Sequence, residues 1–259
     1  MQAYIEHKGT ERPAYSWKAM RPFWGNLRPD QIQIGTCKSY IETRRAAGAG
    51  DGTIRRELTD LRSAVNRFAK GAGAEFVMPS APPPKDRSLT RAEFKALLDA
   101  AQSVPHIYVF LQVALATGGR KDAVLGLTWD RVNFERGQID LGIGAKNKGR
   151  AVVPMTNSVC KVLTTQRQRA ETPWVVEYAG RKVGDVKKGI AGAAARAGVP
   201  GVSPHVLRHT AAVWMAERGR PMSEIAQYLG HSNEQITFRV YARYSPEYLA
   251  GAASALEID

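Results

Sequence analysis

The sequence predicts a mostly α-helical protein with a small antiparallel β-sheet, divided into two domains of unequal size. Three observations carry that expectation. From Thr53 to Lys70, apolar residues recur at alternating spacings of four and three, the pattern of a helix with one buried stripe. Gln138–Ile143 and Ala151–Met155 read as two strands joined by a tight loop through Ala145–Gly149. Pro79-Ser80-Ala81-Pro82-Pro83-Pro84-Lys85-Asp86 separates the two patterns. Consecutive prolines cannot continue a helix and prefer extended backbone, so this segment reads as a semi-rigid linker. The expected organisation is a helical domain over residues 1–80, a linker over 81–88 and a second domain over 89–259.

Composition narrows the function. The 259 residues, 44% hydrophobic, suffice for one large core or two modest ones. Lys and Arg number 37 against 24 Asp and Glu, a formal charge of +13. Such a surplus favours an acidic polymer as partner, and nucleic acid is the commonest. Cys37 and Cys160 are the only cysteines, so neither a disulfide framework nor a Cys-based zinc site is indicated, and a reducing intracellular setting fits. Residues 1–13 lack the apolar core of a signal peptide. The longest apolar stretch, Ile107–Ala116, is interrupted by Gln112 and is too short to span a bilayer. The expectation is a soluble, cytoplasmic, nucleoid-associated protein with no membrane partner.

In the first domain, one helix is expected to end near Gly48, carrying Tyr40, Ile41 and the pair Arg44-Arg45. The next buries Ile54, Leu58, Leu61, Val65 and Phe68, and stops at Gly71 and Gly73. Residues 1–80 hold thirteen Lys/Arg against eight Asp/Glu. A basic face of this kind is either solvated or grips a DNA backbone, and Arg44, Arg45, Arg55, Arg56 and Arg62 are the candidate contacts.

The second domain opens on a capping box, Thr90 with Glu93, followed by the apolar Phe94, Leu97 and Leu98. Ile107–Thr117 reads as a buried helix ending at Gly118-Gly119. The strand pair follows, and Lys148 and Arg150 in and after its loop are further candidate DNA contacts. Trp174–Tyr178 reads as another short strand and Ala191–Ala197 as an Ala-rich helix. Ser203-Pro204 supplies a helix start, with serine as cap and proline at the first helical position.

The chemistry-bearing residues cluster late in the chain. His205 and Arg208 are three apart and share a helix face. His205 and His209 are four apart, a zinc spacing, but no Glu lies between them and no third ligand is evident, so no metal is expected. His209 by itself reads as a packing residue. Downstream come Leu229-Gly230-His231-Ser232 and Tyr241; upstream lie Thr117-Gly118-Gly119-Arg120 and Lys146-Asn147-Lys148. A tyrosine with two arginines, a lysine and two histidines suits holding a phosphodiester while a phenol oxygen attacks it. Forked, permanently charged guanidinium groups on Arg120 and Arg208 can clamp the non-bridging oxygens as their charge grows. His205 and His231 can add hydrogen bonds or move a proton. The phenol of Tyr241, with an ordinary pKa of about 10, is a weak nucleophile that adjacent cations would activate.

These residues, in this order, resemble the signature of the tyrosine recombinases of the phage-integrase type: an arginine after Thr-Gly, a hairpin lysine, His-x-x-Arg, Leu-Gly-His and a tyrosine nine or ten residues on. The resemblance covers essentially the second half and implies a mixed α/β catalytic domain behind a helical core-binding domain. It implies Tyr241 as nucleophile, a 3′-phosphotyrosyl intermediate, Lys146 as donor of a proton to the departing 5′ oxygen, and no cofactor. Measured back from Pro154, Lys146 matches the family position better than Lys148. Tyr241 lies ten residues past His231 and Tyr244 thirteen, the shorter spacing being nearer the pattern. The family often carries a glutamate three residues after its first arginine. Here that position is Ala123, with Asp122 beside it, which leaves open whether Asp122 takes over the supporting role. The implied partners are double-stranded DNA at attachment or core sites, a tetramer on paired sites, and accessory DNA-bending proteins. The implied function is site-specific integration and excision by a minimal recombinase or a fragment of a longer integrase. The alternatives are a relaxing topoisomerase of the same chemistry and a non-catalytic DNA-binding protein on the same scaffold.

Overall fold

The computed structural model describes residues 1–82, 86–143 and 151–257. Lys146, Lys148, Arg150 and the expected hairpin loop 145–149 lie outside the described residues, as do Pro83, Pro84 and Lys85 of the expected linker. The chain divides into two compact units, Met1–Lys85 and Asp86–Asp259.

The first unit is helical: α1 (Gln2–Lys8), α2 (Glu11–Trp24), α3 (Ile34–Ala46) and α4 (Asp51–Phe68). Its core gathers Met20, Trp24, Tyr40, Ile41, Ile54, Leu58 and Leu61, with Phe23, Trp24 and Tyr40 in mutual aromatic contact. Phe68, expected in the buried stripe, is instead exposed. It is the last residue of its helix, where the chain leaves the core, and its ring contacts His7 and Arg67 at the surface. Glu57 is the one buried acid among the unit's described residues, and its burial is offset by Tyr40, whose hydroxyl donates at 2.6 Å, and by Arg44, bidentate at 2.8 and 3.0 Å.

In the second unit, α5 (Arg91–Ala101) starts at the expected capping box: Thr90 Oγ1 accepts from the Glu93 N–H, and the Glu93 carboxylate accepts from the Thr90 N–H. Next come α6 (Pro105–Thr117) and the short α7 (Lys121–Leu125). A three-stranded antiparallel sheet follows, in the order β1 (Val132–Asn133), β2 (Gln138–Asp140), β3 (Val152–Pro154), with Ile139 opposite Val153. The expected strands are thus shorter than their apolar runs, and β1 is an edge strand whose two residues carry no alternation to read. After α8 (Asn157–Gln168), a small hairpin pairs β4 (Glu177–Tyr178) with β5 (Arg181–Lys182). Trp174 makes only an isolated bridge to Thr128, so the expected strand 174–178 shrinks to its last two residues. Helices α9 (Lys187–Arg196), α10 (Pro204–Glu217), α11 (Met222–Leu229), α12 (Glu234–Tyr241) and α13 (Ala250–Ser254) complete the unit.

Helix α6 is buried along nearly its whole length and packs against α5, α8 and α10, forming the centre of the core. From Pro246 to Glu257 the chain is exposed, and Tyr248, Leu249 and Leu256 all face solvent. No described helix is long and apolar enough to cross a membrane.

Candidate active site

The site is assembled where α6, α10, α11 and α12 end or begin. Helix α6 stops at Gly118, which adopts a left-handed conformation, φ 56° and ψ 17°. A Cβ there would lie 2.6 Å from Leu229 Cδ2 at the end of α11. Glycine is therefore required twice, by backbone and by packing. Gly118→Ala is expected to cost about 1–2 kcal/mol from the left-handed backbone alone, read as a lower urea midpoint with unchanged slope. An unchanged midpoint would show that neither the left-handed backbone nor the approach to Leu229 carries a penalty.

This corner is held from several sides. Thr117 Oγ1 accepts from the Gly119 N–H at 3.1 Å, Tyr228 O–H donates to the Ala116 carbonyl at 2.6 Å, and Arg208 Nη1 donates to the Gly118 carbonyl at 2.8 Å. The turn delivers Arg120, exposed, to the cap position of α7.

Helix α10 begins as expected, with Ser203 Oγ accepting from the Val206 N–H and Pro204 at its first position. It exposes His205 and buries Arg208 and His209, each 8% exposed. Arg208 spends one nitrogen on Gly118; its Nη2 is buried without a hydrogen-bond partner among the described residues. Burial, reinforced by the like charge of Arg120, pushes the Arg208 guanidinium down to about 10, with the Tyr241 phenol opposing. A buried guanidinium without a carboxylate is costly unless an anion is meant to meet it.

His231 follows the left-handed Gly230 that caps α11, and its Nδ1 lies 2.7 Å from Thr237 Oγ1, a fully buried hydroxyl on α12. Burial first, then the charges of Arg208 and Arg120, hold this imidazole down at about 4, so it is neutral near pH 7. If Nδ1 donates to Thr237, Nε2 is left to accept a proton; if Thr237 donates, Nε2 carries the proton and can hydrogen-bond an oxyanion.

Tyr241 closes α12 and is buried with Ala212, Val213, Ile225 and Leu229. Its ring lies 5.3 Å from that of His209. Burial raises the phenol above its usual range, and Arg208 opposes that rise without reversing it. The sequence-based expectation that neighbouring cations lower it therefore holds only in part, because desolvation outweighs Arg208. His209 is the packing histidine expected, kept neutral chiefly by burial.

Arg120, Arg208, His231 and Tyr241 are thus brought into one electrostatic neighbourhood. His205 stands at its exposed margin, close enough for its charge to act on His209. Asp122 does not substitute for a supporting carboxylate. Its side chain is 80% exposed and 3.4 Å from Lys121 Nζ. Thr237 escaped the sequence reading, although it precedes Tyr241 by four residues and so shares its helix face.

In the first unit, several candidate DNA contacts are already engaged. Arg44 holds Glu57, Arg45 is bidentate to Asp51 at 2.9 Å, and Arg55 donates to the Pro79 carbonyl at 2.8 Å. Arg56 and Arg62 are exposed, with no ion pair or side-chain hydrogen bond among the described residues.

A model of the phage integrase family matches residues 87–247. The chain belongs to the phage integrase family. Among family relatives, tyrosine recombinase XerA of Thermococcus onnurineus is 30% identical over 247 residues, covering 86% of this chain and 81% of that protein. A XerC-like tyrosine recombinase of Caldanaerobacter subterraneus is 26% identical over 230 residues, or 71% of this chain. That alignment spans only 58% of the relative's own length. The fold agrees with the Tn1549 transposon integrase, solved in complex with circular intermediate DNA, at a TM-score of 0.77 and 18% identity, with 99% of each chain covered. The phage-integrase fold, mostly helical with small antiparallel sheets, is the one the sequence predicted.

Proposed function

We propose that this chain is a site-specific DNA recombinase that breaks and rejoins strands through a tyrosine ester. One observation carries the reading: Arg208 is a buried cation whose Nη2 has no hydrogen-bond partner among the described residues, next to Arg120, a neutral His231 and the Tyr241 phenol. A phosphodiester supplies the anion this arrangement calls for, and the arginine pair stabilises the charge that builds on its non-bridging oxygens. Tyr241 attacks the phosphorus, forming a 3′-phosphotyrosyl bond as the bond to the 5′ oxygen breaks. His231 or His205 accepts the phenol proton or hydrogen-bonds the phosphate. Lys146, by family resemblance, returns a proton to the departing 5′ oxygen. Attack by the 5′ hydroxyl of another strand reverses the ester and joins DNA to a new partner.

Tyr244 is the weaker candidate nucleophile. Its hydroxyl is committed to Asp86, and burial together with that carboxylate raises its pKa. In the proposed complex, double-stranded DNA is the partner and phosphate contacts supply most of the affinity. Arg56 and Arg62 of the first unit are exposed candidates for such contacts, and Lys148 and Arg150 remain candidates by sequence. Exchange between two duplexes needs four protomers on paired sites, with bending proteins assisting where the sites are far apart. The relatives named as recombinases favour this over a relaxing topoisomerase.

The test is incubation with a suicide substrate carrying the cognate site and a nick near the scissile bond. The expected result is a denaturation-resistant protein–DNA adduct whose modified peptide contains Tyr241. No adduct, or an adduct on another residue, removes the proposal.

A further inference from the structure

The segment that opens the second unit reaches the neighbourhood of Tyr241 by a route the chemistry above does not use. Leu89 is tied to α10 in both directions. Its N–H donates to Thr210 Oγ1 and its carbonyl accepts from Trp214 Nε1, both at 2.9 Å. Arg87 is held by the Glu93 carboxylate at 2.7 Å. The backbone next to Asp86 is thereby fixed against the helix that carries Arg208.

The Asp86 carboxylate then meets three groups. Tyr244 O–H donates to Oδ1 at 2.5 Å, and Arg243 Nη2 forms an ion pair with Oδ2 at 2.6 Å. His209 Nε2 lies 3.4 Å from Oδ1, at ion-pair distance though not aligned as a hydrogen bond. Arg243 and Tyr244 belong to the single 3-10 turn, Ala242–Tyr244, that continues directly from Tyr241. His209 packs its ring against the Tyr241 ring. A half-exposed carboxylate beside one surface arginine would mean little by itself. Here one carboxylate grips the turn after the tyrosine and lies beside the ring beneath it.

We propose that Asp86 is a positioning residue for Tyr241, holding the following turn so that the phenol stays beside Arg208. This rests on the reading of Tyr241 as the attacking group. Small misplacements of a reacting group are expensive: about 1 Å can cost a hundredfold in rate.

Single-turnover adduct formation on the suicide substrate tests the role. Asp86→Ala should slow it by about tenfold to a hundredfold, with the dissociation constant for the site unchanged within about twofold and the unfolding midpoint nearly unmoved. Asp86→Asn keeps an acceptor for Tyr244 but loses the charge opposite Arg243, so its rate should fall between the two. Tyr244→Phe should slow the reaction in the same direction and add little on top of Asp86→Ala, because both remove one linkage. A wild-type rate in Asp86→Ala overturns the role. So does a parallel loss of rate, affinity and stability, which would mark Asp86 as merely structural. An adduct on Tyr241 in the wild type, formed equally fast by Asp86→Ala, sinks only this inference; a wild-type adduct mapping elsewhere sinks the functional reading beneath it.

Discussion

Tyr241→Phe is expected to abolish the covalent adduct and strand exchange while leaving DNA binding and folding nearly intact. The substitution removes one oxygen and keeps the ring, which is what packs against Ala212, Val213, Ile225 and Leu229 and lies beside His209. Large-to-small changes in such a cluster cost several kcal/mol, but a change that preserves ring volume does not. Affinity should survive because it comes from phosphate contacts spread over many basic side chains. Without the phenol oxygen no ester can form, and no neighbouring group replaces it: the Tyr244 hydroxyl is tied to Asp86 and Arg243. Gel-shift titration, thermal unfolding and denaturing electrophoresis of the suicide-substrate reaction separate these three outcomes. Retained adduct formation would transfer the nucleophile to another residue; lost binding would show that the phenol serves assembly.

Much of this site was legible in the chain because its chemistry demands particular side chains at particular helix offsets. His205 and Arg208 stand on one turn, Gly118 precedes Arg120, and Gly230 precedes His231 in a helix-ending left-handed turn, each recognisable by local rules. The long helices were legible for the same reason: α4, α5 and α6 follow from apolar spacing, a capping box and a terminal glycine. What the local rules could not supply is tertiary. Nothing in the spacing reveals that burial would outweigh Arg208 in setting the Tyr241 phenol. Spacing left open whether Asp122 replaces the family's supporting carboxylate, and in the first turn of the five-residue α7 it points to solvent. Asp86 sat at the end of a proline run and read as linker, although its partners lie about 120 to 160 residues away in sequence. The two-residue strands β1 and β5 were invisible because alternation needs more than two positions to register. Arg44 illustrates the opposite error: a basic residue on a basic face, it is spent on neutralising buried Glu57.

Arg208→Met should separate stability from activity. In the folded protein the guanidinium is buried, one of its nitrogens lacks a hydrogen-bond partner among the described residues, and both burial and Arg120 disfavour its charge, down to a pKa of about 10. That depression from an ordinary 12.5 corresponds to roughly 3 kcal/mol of unfavourable free energy at neutral pH as an upper bound, at about 1.4 kcal/mol per pKa unit. Methionine fills much of the same volume without charge, but it leaves the Gly118 carbonyl without its 2.8 Å donor, a loss of about 1 kcal/mol or more. The net expectation is a gain of about 1–2 kcal/mol in urea unfolding. Cleavage should move the other way. Losing a fixed donor to the developing phosphate charge costs about 10²–10³ in rate, so single-turnover adduct formation should collapse in a protein that is harder to unfold. A stabilised but inactive Arg208→Met identifies the guanidinium as a group held under strain for an anion. A destabilised variant would instead show that Arg208 serves chiefly to fasten α10 to the Gly118 corner.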